Sequence, residues 1–285
     1  MKWQQTLSLA ALSALSVSLF SACVKDLPYD RLQKEVNSCP ILVLDAFEQY
    51  VPGIQSEFAR YRIDYNPAGN PVDMIFTSGS YHLASDRYFR YDRFGRLSDY
   101  AETLHGTSAS LIWNRYGYPD RHHITDTTFD YVGNVDSTEP PHGSFDTYFS
   151  IYELDDLGRI IKRTAFEVLD SSFVTSEPAS ISTFDYNARG DMILRGVTYD
   201  DKVNPYQTNA VWMLINNNYS VNNPVNAPLG DYGSGGPVII PSYNALGLPL
   251  EMDGNLSVFG DNFGDQLKIE YGCDSVPSKG GSMGR

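Results

Sequence analysis

Apolar residues along this chain recur at alternate positions, and each alternating run ends in a short polar, glycine-bearing word. Ile63 and Tyr65, Phe89 and Tyr91, Leu111 and Trp113, Tyr152 and Leu154, and Phe184 and Tyr186 are each separated by one residue. A period of two puts both members on one face of a strand, whereas a helix would bring back every third or fourth residue. After each pair stands Asn or Asp, and three residues later a glycine. The words are Tyr65-Asn66-Pro67-Ala68-Gly69, Tyr91-Asp92-Arg93-Phe94-Gly95, Trp113-Asn114-Arg115-Tyr116-Gly117, Leu154-Asp155-Asp156-Leu157-Gly158, Tyr186-Asn187-Ala188-Arg189-Gly190 and Tyr243-Asn244-Ala245-Leu246-Gly247. Phe129-Asp130-Tyr131-Val132-Gly133 is a candidate seventh copy. An Asx side chain bonds the backbone two residues on and starts a turn. Glycine takes the positive φ that a reversal needs. The pattern therefore predicts half-buried antiparallel strands joined by hairpins.

The glycines are unevenly spaced, and the long gaps imply insertions. One surrounds Glu139 to Gly143. Another, between Gly190 and Gly247, holds Asn216 to Ser220 and the glycine run Asp231 to Pro237. Insertions in hairpin arrays map to loops, where binding residues concentrate. Within the second gap, Ala210-Val211-Trp212-Met213-Leu214-Ile215 reads as a further strand. Before the repeats, Asp30 to Ser38 suggests a short helix and Ile41 to Leu44 a strand.

Tyr91-Asp92-Arg93-Phe94-Gly95-Arg96-Leu97 resembles the YD repeat of RHS-type shell proteins throughout its core, and Asp155-Asp156-Leu157-Gly158-Arg159-Ile160 comes close. The other copies keep only the Asx and the glycine. RHS shells use many more repeats, and no autoprotease core is recognisable here. The chain is more similar to small Bacteroidetes-type lipoproteins with degenerate YD-like β-hairpin repeats, whose Asn217 to Pro224 segment it shares in kind. That resemblance implies a location and a fold and carries no activity. The expected fold is all-β: an antiparallel meander of YD-like hairpins, twisted into a rolled sheet or open barrel. Stacked neighbours would bury the aromatic face that one hairpin leaves exposed.

The first 22 residues read as an address. Lys2 supplies a basic start, Leu7 to Phe20 an apolar stretch broken only by serines, and Ser21-Ala22 the small residues before Cys23. The stretch is short for a membrane span. Leu19-Phe20-Ser21-Ala22-Cys23 resembles a bacterial lipobox, which implies cleavage before Cys23 and lipidation of its thiol. The expected layout is a lipoprotein signal peptide at 1–22, an anchor linker and N-terminal segment at 23–54, a repeat domain at 55–275 and a flexible tail at 276–285. Lys25-Asp26 faintly resembles the charged export signals of surface lipoproteins. The protein is thus expected on the outer membrane, on the cell surface or the periplasmic face.

Composition narrows the partners. The 285 residues carry 21 Lys+Arg against 35 Asp+Glu, a net charge of −14. Nucleic acid is an unsuitable partner, because phosphate binding needs a basic footprint. With Cys23 spent on the anchor, Cys39 and Cys273 are left, either as a disulfide that an exported compartment permits or as two unpaired thiols. No Gly-x-Ser-x-Gly elbow, Walker loop or dinucleotide fingerprint occurs. The five histidines are His82, His105, His122, His123 and His142. The adjacent pair would face opposite sides of a strand, which disfavours a shared metal. Asp253, Asp261, Asn262 and Asp265 crowd a glycine-rich segment and offer hard oxygen ligands, but their spacing fits no EF-hand, and turns use the same residues. With so many carboxylates, proximity alone cannot mark a glycosidase pair. Trp113, Trp212, Tyr116, Tyr118 and Tyr219 could stack sugars or grip a protein, but Trp113, a template aromatic, fits a core. Tyr116, Tyr118 and Tyr219 are the candidates for exposed binding contacts. The sequence therefore predicts a non-catalytic, lipid-anchored binding or scaffold protein of the cell envelope, needing no cofactor, with an envelope protein or a glycan as ligand; a glycosidase-type enzyme is the weaker alternative.

Overall fold

A computed structural model describes residues 36–51, 54–80, 84–107, 110–130, 147–170, 173–174, 177–226, 238–254, 257–258, 261–262 and 265–273. The lipobox, Cys23, His82, His142 and Gly133 lie outside them.

The meander opens with β1 (Ile41–Val51), β2 (Ile54–Tyr65), β3 (Pro71–Ser78), β4 (Ser85–Tyr91) and β5 (Leu97–Leu104). It continues through β6 (Ser110–Gly117), β7 (His123–Asp130), β8 (Thr147–Leu154) and β9 (Ile160–Asp170) to the short edge strands β10 (Phe173–Val174) and β11 (Ser180–Thr183). Two strands, β12 (Thr198–Val203) and β13 (Asn222–Asn226), form a separate ladder. The chain then returns as β14 (Ile239–Tyr243), β15 (Pro249–Asp253), the small pair β16 (Ser257–Val258) and β17 (Asp261–Asn262), and β18 (Gln266–Tyr271). In space the main sheet runs β10-β9-β8-β7-β6-β5-β4-β3-β2-β1-β18-β15-β14, with β11 also on β9. The all-β antiparallel meander is as the periodicity predicts. The sheet does not close: β14 forms one edge and β10 with β11 the other.

Five of the six polar words make one and the same turn. At Asp92, the carboxylate Oδ1 accepts from the amides of Phe94 and Arg96 at 2.8 and 3.0 Å, and the Asp92 carbonyl accepts from Gly95 N–H. The same bonds recur at Asn66, Asp155, Asn187 and Asn244. Gly69, Gly95, Gly158, Gly190 and Gly247 all lie at φ between +77° and +88°. The sixth word is a correction. Trp113 to Gly117 lies inside β6, where the Asn114 side chain bonds Asp126 and Thr128 across the ladder. The reversal comes later, where Asp120, six residues after Asn114, accepts through Oδ1 from His122 N–H at 2.7 Å.

A second device is keyed to the same end of the sheet. Tyr65, Tyr91, Tyr118, Tyr186 and Tyr271 donate their hydroxyls to the carbonyls of Ile41, Pro71, Leu97, Ile160 and Pro249, at 2.6 to 3.0 Å. Four of those acceptors stand two residues past a turn glycine. Each tyrosine thereby ties its strand end to the start of an earlier strand. Tyr118, not Trp113, occupies the template position of the third turn.

The long insertion after Gly190 is the second correction. Up to Asn226 it is no surface loop and fills the hollow of the sheet, while the glycine run Asp231 to Pro237 lies outside the described residues. A 3-10 turn (Pro205–Thr208) leads into helix α1 (Ala210–Ile215), with Trp212 fully buried and edge-on to Phe89 at 5.5 Å. The apolar run read as a strand is therefore a helix. Periodicity cannot separate the two in a run this short, and the Asn209 side chain decides it by capping Val211 N–H at 2.9 Å. Buried backbone in this plug is satisfied from within. Asn204 caps Tyr206, Gln207 donates to the carbonyls of Tyr219 and Ser220, and Asn218 accepts from Ser220 N–H. Asn209 Nδ2 also reaches the Gly69 carbonyl, and Val203 N–H reaches that of Gly247, so both arms of the sheet hold the plug. One core cluster joins the plug to β1 through β9, β15 and β18. Trp113 lies in a smaller cluster with Ala101, Tyr88 and Phe129; its indole N–H donates to Asp99, and Arg90 lies over its ring.

Candidate functional site

At the turn end of the sheet, between the reversals and α1, lies an open groove of about 1040 Å³. Repetition builds one wall: Gly95, Leu157, Gly158 and Gly190 each come from a template turn, and Asn70 follows one. The other wall is the plug, with Gln207 and Asn209 beside Val211, Met213 and Leu214. Leu97, Ile124, Tyr118, Tyr219 and Val221 complete a largely apolar floor. Among the described residues, the lining has three cations, Arg96, Arg159 and Arg189, and no carboxylate.

Each arginine is held in place. Arg96 donates Nε to Asp92 at 2.8 Å and lies 4.3 Å over the Tyr118 ring. Arg159 does the same with Asp155 at 2.8 Å and Tyr186 at 4.1 Å. Arg189 reaches the buried Asp191 at 3.2 Å and the Asp200 carbonyl at 3.1 Å. Desolvation works against ionisation of Asp92 and Asp155, but the bonds from Arg96 and Arg159 outweigh it and hold both carboxyls below their usual range. Guanidinium has five N–H donors, so an arginine bonded through one edge keeps donors on the other. Phe94 and Leu157 occupy the same position in two turns and are 67% and 77% exposed. The end of the sheet thus combines apolar tips with fixed cations.

No protein-family model matches the chain, and no curated protein matches it. The groove must be read from its own chemistry.

The tyrosines expected as exposed contacts need correcting. Tyr116 and Tyr219 are 9% and 8% exposed, because both sit in the core cluster, Tyr116 on β6 and Tyr219 in the plug. Burial pushes their hydroxyls well up from the ordinary range. Tyr118 is half-buried, with its hydroxyl on Leu97 and its ring under Arg96; burial raises it to about 12. Tyr118 and Tyr219 do border the groove, as parts of its floor. The three arginines were the residues missed. Their signal was in the repeat itself, since Arg96 and Arg159 follow the turn glycine in the two best copies.

The remaining candidates are engaged elsewhere. Cys39 and Cys273 are bonded to each other, with Cα atoms 4.9 Å apart. His105 meets Asp86 at 3.0 Å, and His123 meets Asp120 at 2.9 Å. Asp253 accepts from Gln266 at 2.8 Å. Among the described residues, no three His, Cys, Asp or Glu side chains gather as metal ligands, and no helix is long and apolar enough to cross a membrane.

Proposed function

We propose that this protein is a non-catalytic binding module of the cell envelope, held at the outer membrane by a lipid on Cys23, with the turn-end groove as its ligand site. The observation that carries this reading is the groove itself. Tight turns and an internally capped plug fix its walls, and it joins an apolar floor to a few placed polar groups, the usual make-up of a ligand site. The lipobox supports the anchor, and either membrane face is consistent with it.

A photo-crosslinking residue placed at Ala188 or Ala210 tests the site. Both border the groove and are exposed, whereas Ser182 is exposed on edge strand β11 away from it. In native envelopes, the groove positions are expected to give an adduct of defined mass that Ser182 does not. Equal labelling at all three, or none, would overturn the reading. Intact mass of the purified protein tests the anchor: diacylglycerol on Cys23 is expected, and an unmodified or uncleaved N-terminus would refute it.

A further inference from the structure

We infer that the groove takes an anionic amphiphile, with its hydrocarbon body along the floor and its carboxylate or phosphate head against Arg96, Arg159 and Arg189. This rests on the groove being the ligand site and adds the class of ligand. Three observations converge.

The first is charge. The chain has 35 acidic residues against 21 Lys+Arg, yet among the described residues the groove lining shows three arginines and no carboxylate. Asp92 and Asp155 take the Nε and Nη2 of Arg96 and Arg159, which leaves the Nη1 side of each outside the ion pair, while Arg189 gives Nη2 to Asp191 and Nη1 to the Asp200 carbonyl. A guanidinium already held in place loses little on binding an oxyanion, which its remaining N–H donors can meet. The second is the apolar lining. Ile124 of the floor with Val211, Met213 and Leu214 of the plug wall gives an apolar strip far larger than a small anion needs. A sugar acid or a bare phosphate would leave that strip wet, and a hydrocarbon tail would fill it and bury its methylenes.

The third is position. Asn37 borders the groove, and the described chain begins at Val36. Only the twelve residues from Val24 to Glu35 separate that point from Cys23. Fully extended they span at most about 43 Å. A lipid on Cys23 would therefore keep the groove, with its exposed Phe94 and Leu157 tips, within reach of a bilayer that supplies such amphiphiles.

The test uses the Cys23→Ser chain, so that no detergent competes. A fluorescent long-chain carboxylate is bound and then displaced with oleate, oleoyl lysophosphatidate or neutral mono-olein. The two acids are expected to displace it at least about tenfold better than mono-olein, the worth of a charged hydrogen bond. Displacement by oleate alone would identify a carboxylate ligand, and by lysophosphatidate alone a phosphate ligand; both support the inference. Arg159→Gln is expected to erase most of the preference. Arg189→Gln, outside the Asp–Arg turn pairs, serves if the first variant melts early. Equal displacement by mono-olein, an unchanged preference in both variants, or no binding of the probe would overturn it. If the probe fails while Ala188 and Ala210 still crosslink, the groove remains a ligand site for another class of molecule. If both fail, the binding reading falls with it.

Discussion

The turn glycines share one backbone geometry but not one environment. A Cβ on Gly95 would meet nothing within 4 Å, whereas one on Gly190 would lie 2.8 Å from Val221 Cγ2. Gly95→Ala should therefore cost only the left-handed penalty, about 1 kcal/mol. Gly190→Ala should cost clearly more, because the plug must also shift. Urea midpoints of the two variants would measure the difference, and equal losses would refute it. The tyrosine ties predict a pH effect. Burial raises the hydroxyls of Tyr65, Tyr91 and Tyr186 above the ordinary value near 10, and that of Tyr118 to about 12. The unfolded chain gives up these protons first, so it holds fewer protons than the native state above pH 10, and stability falls as pH rises. The contribution is whole below pH 10 and is lost through pH 12 and beyond. Absorbance at 295 nm should show these phenols ionising together with the loss of β-sheet circular dichroism. Smooth ionisation near pH 10 in the folded protein would contradict it.

At the scale of elements, the plug holds the sheet in its curve. Trp212 is fully buried against Phe89, so Trp212→Ala should cost about 3–5 kcal/mol. Asn209→Ala should cost about 1 kcal/mol through the lost cap, and more because the bond to Gly69 goes with it. Thermal melts would rank the two, and a near-neutral Trp212→Ala would mean that the plug is dispensable. These elements also show what the sequence could and could not reveal. Period-two alternation and the Asx-x-x-Gly words made the strands and five turns legible, because both are local signals. At Trp113 the same word is a strand, since cross-strand bonds from Asn114 to Asp126 and Thr128 outcompete the turn. The true turn at Asp120 carries no glycine to mark it. Helix α1 hid in an apolar run with no visible period, and its cap at Asn209 was one Asn among many. The groove was illegible for a different reason. It is made where distant turns meet the plug, and only Arg96 and Arg159 left a trace of it in the repeat.

For the whole molecule, the decisive join is between chain ends. The sheet is open, and within it the last hairpin is joined to the meander by the pairing of β18 with β1, from Ile41 opposite Tyr271 to Phe47 opposite Gln266. The Cys39–Cys273 bond stands beside that ladder and spans 234 residues of sequence. Closing so long a loop in the unfolded chain removes entropy worth about 5 kcal/mol in the chain-entropy model. That is comparable to the whole stability of many domains. The Cys39→Ser, Cys273→Ser double variant should therefore unfold at a much lower urea concentration. Its denaturant slope should be steeper, because the unlinked unfolded chain exposes more surface. Amide exchange should locate the loss. Protection over Val43–Phe47 and Gln266–Tyr271 is expected to fall before that of β6 to β8, since the β1–β18 seam joins the two ends of the sequence while the central hairpins are local. Uniform loss of protection would instead mean that the sheet unfolds as one unit and that the bond acts on the unfolded state alone. An unchanged midpoint would mean that the β1–β18 ladder, the bonds from Gly272 N–H to the Pro40 carbonyl and from Asp265 N–H to the Phe47 carbonyl, and the buried faces of Leu44 and Ile269 already hold the seam without it.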